Sequence, residues 1–126
     1  MILDTSVLVD IDRGKHLERL QNLEGQWHAI SAATYMELAT GKHRNDVPQE
    51  EFENVKTVLE IIPVSTGIAD KAGQFLAQLL ENGEPVGTND LYVAATAAVH
   101  DQPVLTSDVD DFRRVPDIAV VDWREL

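Results

Sequence analysis

Short apolar runs recur along this chain, and each leads into a stretch with helical periodicity. Met1, Ile2 and Leu3 stop at Asp4 and read as a short buried strand, after which Thr5 or Ser6 can cap a helix through residues 7–11. Leu17, Leu20 and Leu23 fall at helical spacing within residues 16–23. Residues 27–30 read as a second strand, with Ser31 as N-cap of a helix over 32–40 and Gly41 as its stop. Pro48, with three acids among its next five residues, opens a helix that runs to Leu59. A third strand follows at 61–64, then a helix over 68–80 with Ala69, Ala72, Phe75, Leu76 and Leu79 facing inward. Residues 82–87 are rich in breakers and form a turn, and Thr88 or Asn89 caps the Ala-rich helix that ends at Val99. Residues 103–106 and 118–121 are the fourth and fifth strands. Strands alternating with helices predict an α/β protein, a three-layer α/β/α sandwich on a four- to five-stranded parallel sheet. With 126 residues and no repeat, low-complexity tract or linker, residues 1–126 read as one domain.

Charge narrows the chemistry. Ten Lys and Arg stand against 22 Asp and Glu, a net charge of −12. A nucleic-acid binder is usually recognised by a basic patch, and this balance has the opposite sign. It disfavours long-range steering of a polyanion but not local binding through a metal. The acidity reflects either a salt-adapted host or a plain solubility bias. There are no cysteines, hence no disulfides or thiolate ligands, which fits a cytoplasmic protein. The four histidines form no i, i+4 pair, so a zinc site is not expected. No apolar run approaches the roughly 18 residues that span a bilayer, and the first residues lack the pattern of a signal peptide.

Four acids sit where strands hand over to helices or turns: Asp4, Glu37, Asp90 and Asp108. In an open α/β sheet the carboxyl ends of the strands converge on one crevice. Carboxylates crowded there repel one another unless a hard divalent cation neutralises them, so a metal-dependent reaction on phosphate is the leading reading. Each acid has a plainer role as well. Asp4 can be a helix cap, Glu37 a solvated face residue, and Asp90 a first-turn acid favoured by the helix dipole.

The segments Ile2-Leu-Asp-Thr-Ser6, Ile30-Ser-Ala-Ala-Thr-Tyr-Met-Glu-Leu38, Gly83-Glu-Pro-Val-Gly-Thr-Asn-Asp-Leu-Tyr-Val-Ala-Ala-Thr-Ala97 and Leu105-Thr-Ser-Asp-Val-Asp-Asp-Phe112, with a closing Val121-Asp-Trp123, occur in an order that resembles the PIN domain. Within that family the chain is similar to the VapC toxins of type II toxin–antitoxin systems, over its whole length. The resemblance implies a Mg²⁺- or Mn²⁺-dependent ribonuclease with Asp4, Glu37, Asp90 and Asp108 as catalytic and metal-binding acids. Asp111 is the alternative or additional fourth acid. It further implies supporting hydroxyls at Ser6 and Thr106, a VapB-like antitoxin as partner, and a homodimer. Ile61, Ile62, Leu76, Leu79 and Leu80 are candidates either for that dimer face or for the core.

No residue is an obvious nucleophile, so water would attack, leaving a 5′-phosphate and a 3′-hydroxyl. Among the scarce cations, Arg113 and Arg114 are the best candidates to hold the RNA backbone; Arg13, Lys15, Lys42 and Arg44 are others. Trp27, Tyr35 and Tyr92 either stack bases or belong to the core. Haloacid-dehalogenase and receiver domains also build acidic Mg²⁺ pockets. The first wants a second Asp where Ser6 stands, and the second wants a Lys after a late strand, where Ser107 and Asp108 follow instead. The remaining alternative is a PIN fold without activity that serves only as a protein-binding module; intact acids at all four positions argue against it.

Overall fold

The computed structural model describes residues 1–46 and 49–126, the side chains of 49–52 excepted. Five short strands, β1 (Ile2–Leu3), β2 (Ala29–Ser31), β3 (Glu60–Ile62), β4 (Val104–Thr106) and β5 (Val120–Asp122), form one sheet in the order β3-β2-β1-β4-β5. Every pairing is parallel. The helices are α1 (Thr5–Asp12), α2 (Ala32–His43), α3 (Gln49–Val58), α4 (Thr66–Glu81), α5 (Thr88–Val99) and α6 (Val109–Arg113), with 3₁₀ turns at Leu17–Leu23 and Trp123–Glu125.

Successive strand residues point to opposite faces of a sheet, so a sheet covered on both sides must be apolar at every position. Ile2, Ala29, Ile62 and Val104 enter a core with Ile68, Ala72, Phe75 and Leu79 of α4 and the buried face of α5. Their neighbours Leu3, Ile30 and Leu105 enter a second core with Val7 of α1, Leu23 and Trp123, flanked by Tyr35 and Leu38 of α2 and Val55 of α3. The two cores, one on each side of the strands, are the three-layer sandwich.

The chain moves outward from the centre in one direction through β1, β2 and β3, then returns to place β4 and β5 on the other side of β1. That reversal puts a switch point between the carboxyl ends of β1 and β4, where open α/β sheets form a crevice. Asp4 follows β1 directly, and Ser107 and Asp108 follow β4.

Several local expectations are corrected. α2 runs through Gly41 to His43, since a helix with buried contacts on one face absorbs a single glycine at a cost of about 1 kcal/mol. Gly87, not Thr88 or Asn89, is the N-cap of α5, and Thr5 and Ser6 lie inside α1 rather than capping it. Leu17 and Leu20 are exposed on a 3₁₀ turn rather than on an α-helix, and of the three leucines only Leu23 at its end is buried. In α4, Ala69 and Leu76 face solvent while Ile68, Ala72, Phe75 and Leu79 are buried. β2 begins at Ala29, past Trp27, and β5 begins at Val120, past Ile118. The helix start read at Pro48 lies outside the described residues.

Candidate active site

The end of β1 passes straight into α1, and Asp4 is the junction. It occupies the N-cap position of α1, yet its side chain makes no capping hydrogen bond. Instead its Oδ2 accepts the hydroxyls of Ser6 at 2.8 Å and Thr106 at 2.9 Å, and the residue is only 4% exposed. The plain capping role for Asp4 is therefore not what its carboxylate does. Both hydroxyls also reach the loop after β4: the Ser107 amide donates to Ser6 Oγ at 3.0 Å, and the Asp108 amide donates to Thr106 Oγ1 at 2.8 Å. These two hydroxyls tie the carboxylate after the central strand to the loop after its neighbour. Register across the sheet, Leu3 opposite Leu105, brings the two ends level.

The remaining acids come from helices. Glu37 is on the middle turn of α2, where Thr5 Oγ1 donates to its Oε1 at 2.9 Å. Asp90 lies in the first turn of α5. Asp4, Glu37, Asp90 and Asp108 together line a cleft of about 360 Å³ with Thr5, Ser6, Val9, Asp10 and Ser107. Burial, followed by the charges of Asp4, Asp111, Glu37 and Asp108, pushes the Asp90 carboxyl up to about 6. Burial and the charges of Asp4 and Asp111 likewise raise Asp108 above its ordinary value, opposed by the Arg124 guanidinium.

Asp111 thus acts on both raised carboxyls but lines a neighbouring recess of about 370 Å³ rather than the cleft. Ser107 and Asp108 are common to the two, and Val109, Asp110, Arg114 and Arg124 complete the recess. Arg114 is on its wall; Arg113, also expected to hold RNA, lines neither space. Trp27 is at the amino-terminal end of the sheet, stacked on His100 with centroids 6.3 Å apart, away from the acids. Tyr35 and Tyr92 pack against the two cores, so the base-stacking role is not supported for any of the three.

The site also contains residues the sequence reading passed over. Asp10 accepts the Ser107 hydroxyl at 2.9 Å. A signal for it existed, since Ser6 and Asp10 are i, i+4 on a helix that starts directly after Asp4 and so share a face. Thr5 had been considered only as a cap. Arg124 had no signal in the sequence.

An all-carboxylate donor set, with one member raised to about 6 by burial and then by its neighbours' charges, has the chemistry of a site for a hard divalent cation. Among the described residues no three acidic or histidine side chains are already close enough to share an ion. As an expected outcome, Thr106→Val removes one donor from Asp4 and the acceptor of the Asp108 amide. Such a loss around a ligand lowers activity by about 10–100-fold and stability by about 1–2 kcal/mol, to be read from initial rates and thermal melts.

Residues 1–118 match the PIN domain family. The chain is 31% identical to the tRNA(fMet)-specific endonuclease VapC of Salmonella typhimurium, covering 97% of this chain and 96% of that one. It is also 31% identical to ribonuclease VapC5 of Mycobacterium tuberculosis, over 96% and 91% of the two. Among solved structures it superposes on DNA-bound VapBC from Salmonella typhimurium with a TM-score of 0.83 at 30% identity, over 97% of this chain and 96% of that one. VapBC2 from Rickettsia felis, bound to a promoter DNA fragment, gives 0.84 at 26% identity, over 97% of each chain. The acids that follow β1 and β4 and head α5 stand on a fold shared along nearly the full length with these nucleases: the chain belongs to the PIN domain family and, within it, to the VapC ribonucleases.

Proposed function

We propose that this chain is the toxin of a VapBC-type pair, a cytoplasmic Mg²⁺- or Mn²⁺-dependent endoribonuclease in which water attacks the phosphodiester. The observation that carries the reading is the cleft at the sheet's switch point that Asp4, Glu37, Asp90 and Asp108 line together, crowded enough that burial and the surrounding carboxylates push the Asp90 carboxyl up to about 6. A site built only to fold would not concentrate unbalanced negative charge at the sheet's switch point. Asp4, Glu37 and Asp90 would hold the principal ion, with Asp108, or Asp111 beside it, completing the set. When bound, the ion supplies positive charge against the scissile phosphate and lowers the pKa of the attacking water. The chain's own residues do the positioning. Ser6 and Thr106 fix one oxygen of Asp4, leaving Oδ1 without a hydrogen bond among the described residues. Thr5 orients Glu37 by donating its hydroxyl to Oε1.

The test is incubation of the purified protein with RNA, with divalent cation and with chelator. Cleavage that produces 5′-phosphate ends and stops on chelation is expected. Equal cleavage in excess chelator would exclude the metal-dependent mechanism, and no cleavage under any condition would leave only the protein-binding module.

An acidic cleft also favours an inhibitor that inserts a cation. The partner is read as a VapB-like antitoxin whose C-terminal segment folds near Glu37, Lys42 and Asp90 and places an arginine among Asp4, Glu37 and Asp90, since a planar guanidinium pairs bidentately with carboxylates. No helix among the described residues is long and apolar enough to cross a membrane.

A homodimer completes the reading. Of the five residues considered for its face, Ile62 and Leu79 belong to the core beneath α4 and α5, and Ile61 packs against the other. Leu76 and Leu80 remain, 41% and 69% exposed and one turn apart on α4. Light scattering is expected to give twice the 14.0 kDa chain mass, and Leu80→Arg to halve it without unfolding the protein.

A further inference from the structure

Arg124 lies two residues beyond β5, on the 3₁₀ turn that closes the described fold. Asp122, the last residue of β5, pairs in register with Thr106 and so brings this turn to the same sheet edge as the catalytic acids. The guanidinium is clamped in a two-point fork: Nε donates to Asp122 Oδ1 and Nη2 to Oδ2, both at 3.0 Å. Asp122 is itself fixed, because its Oδ1 also accepts the Arg124 amide at 2.9 Å. A guanidinium carries five N–H donors, and the fork uses two. No other acceptor among the described residues reaches the remaining three, two of them on Nη1.

This fixed, exposed cation lines the recess that meets the catalytic cleft at Ser107 and Asp108, with Arg114 also on its wall. Arg114 is held loosely, its Nη1 at 3.4 Å from the Pro85 carbonyl and 3.8 Å from Asp111. In a chain with ten basic residues against 22 acidic ones, two of the ten border this space.

We infer that Arg124 is an RNA-positioning residue: its unpaired N–H groups take a phosphate oxygen of the substrate strand flanking the scissile bond, with Arg114 as the second cation of the same subsite. The inference rests on the ribonuclease reading and adds where the strand leaves the acids. Asp108, Asp110 and Asp111 make the recess acid-rich, so free phosphate gains little there. A phosphodiester already tethered through its neighbour at the acids arrives at high effective concentration, and donor geometry then decides. The clamp matters because a guanidinium that Asp122 already orients loses little side-chain entropy on contact.

The experiment uses the full chain and a labelled RNA oligonucleotide that the unsubstituted protein cleaves, with Mn²⁺, across a series of KCl concentrations. Arg124→Ala is expected to raise KM about tenfold with kcat close to the parent's, and to lower the slope of log KM against log salt by about 0.7, the increment for one phosphate contact on a single strand. Arg124→Lys keeps the charge and loses the fork, so it should restore the salt slope while leaving KM raised. In a cleavage-blocked Asp4→Asn background, Arg124→Ala should weaken oligonucleotide binding by a like factor. Unchanged KM and salt slope in Arg124→Ala, or a loss confined to kcat, would overturn the assignment while leaving the ribonuclease reading intact. If the unsubstituted protein neither cleaves nor binds any RNA, both fall together.

Discussion

Asp4→Asn is expected to abolish RNA cleavage while leaving the protein folded. Asp4 is the most enclosed of the site acids, and its Oδ2 accepts the two hydroxyls that tie β1 to the loop after β4. Asparagine has the same shape and one carbonyl oxygen, which can accept both hydroxyls from the same place. What it lacks is the negative charge, and an amide nitrogen stands where the other oxygen was. A divalent ion would lose a charged oxygen ligand, and with it several kcal/mol of transition-state stabilisation, at least about 10³-fold in rate. Melting temperature should hold or rise, because one of the mutually repelling carboxylates is gone. Full activity in Asp4→Asn would defeat the mechanism. Loss of activity together with loss of the folded far-UV spectrum would mean the hydroxyl network cannot tolerate the amide, and Asp90→Asn, at a less enclosed position, then becomes the deciding variant.

The second large effect is a stability term whose sign depends on metal. Asp90 titrates near 6 in the fold, above the ordinary carboxylate value of 3.8, so between those values the native protein holds a proton that the unfolded chain has released. Stability from this group is therefore greatest below about 4, falls as pH rises to about 6, and stays at its low value above. For a fully desolvated carboxyl such a displacement corresponds to about 3 kcal/mol; Asp90 is partly open to solvent, and screening reduces this to roughly 1–2 kcal/mol. In chelator, Asp90→Asn is thus expected to be more stable than the parent at pH 7.5, with the gap closing towards pH 4.5. Divalent cation reverses the order, since it binds the ionised form and stabilises the parent alone. Its apparent affinity for the parent should fall about tenfold for each pH unit below 6. Melting curves of both proteins across pH, with chelator and with Mn²⁺, check all of this. A gap independent of pH, or a variant less stable than the parent in chelator at pH 7.5, would rule out the strained carboxylate.

Much of this architecture is legible in one dimension, because its signals are local. Strands buried on both faces have to be apolar throughout, as Ile2 and Leu3 and Val104 and Leu105 are, and such runs alternating with helical stretches admit a parallel sheet between two helical layers. Acids placed after those runs then meet wherever the strand order reverses. Asp4 and Asp108 were identifiable in that way, Glu37 and Asp90 through the family resemblance of the segments that hold them, and the cleft brings the four together. Which partners each acid would find was not legible. Thr106 and Asp4 are 102 residues apart, and only the pairing of β1 with β4, Leu3 opposite Leu105, makes them contacts. Side-chain direction was equally out of reach. Ala69 and Leu76 share α4 with Phe75 and Leu79 but turn to solvent, because the packing of α4 on α5 and the sheet sets which stripe is buried. Arg124 shows the same limit at the site itself. Nothing near it in the chain marks it as more than a charge, and its place beside Asp108 follows from β5 pairing with β4 and from Asp122 at the end of that strand. Periodicity and residue type act over a few neighbouring residues and so can be read directly; contacts across the sheet depend on long-range strand pairing, which no local signal encodes.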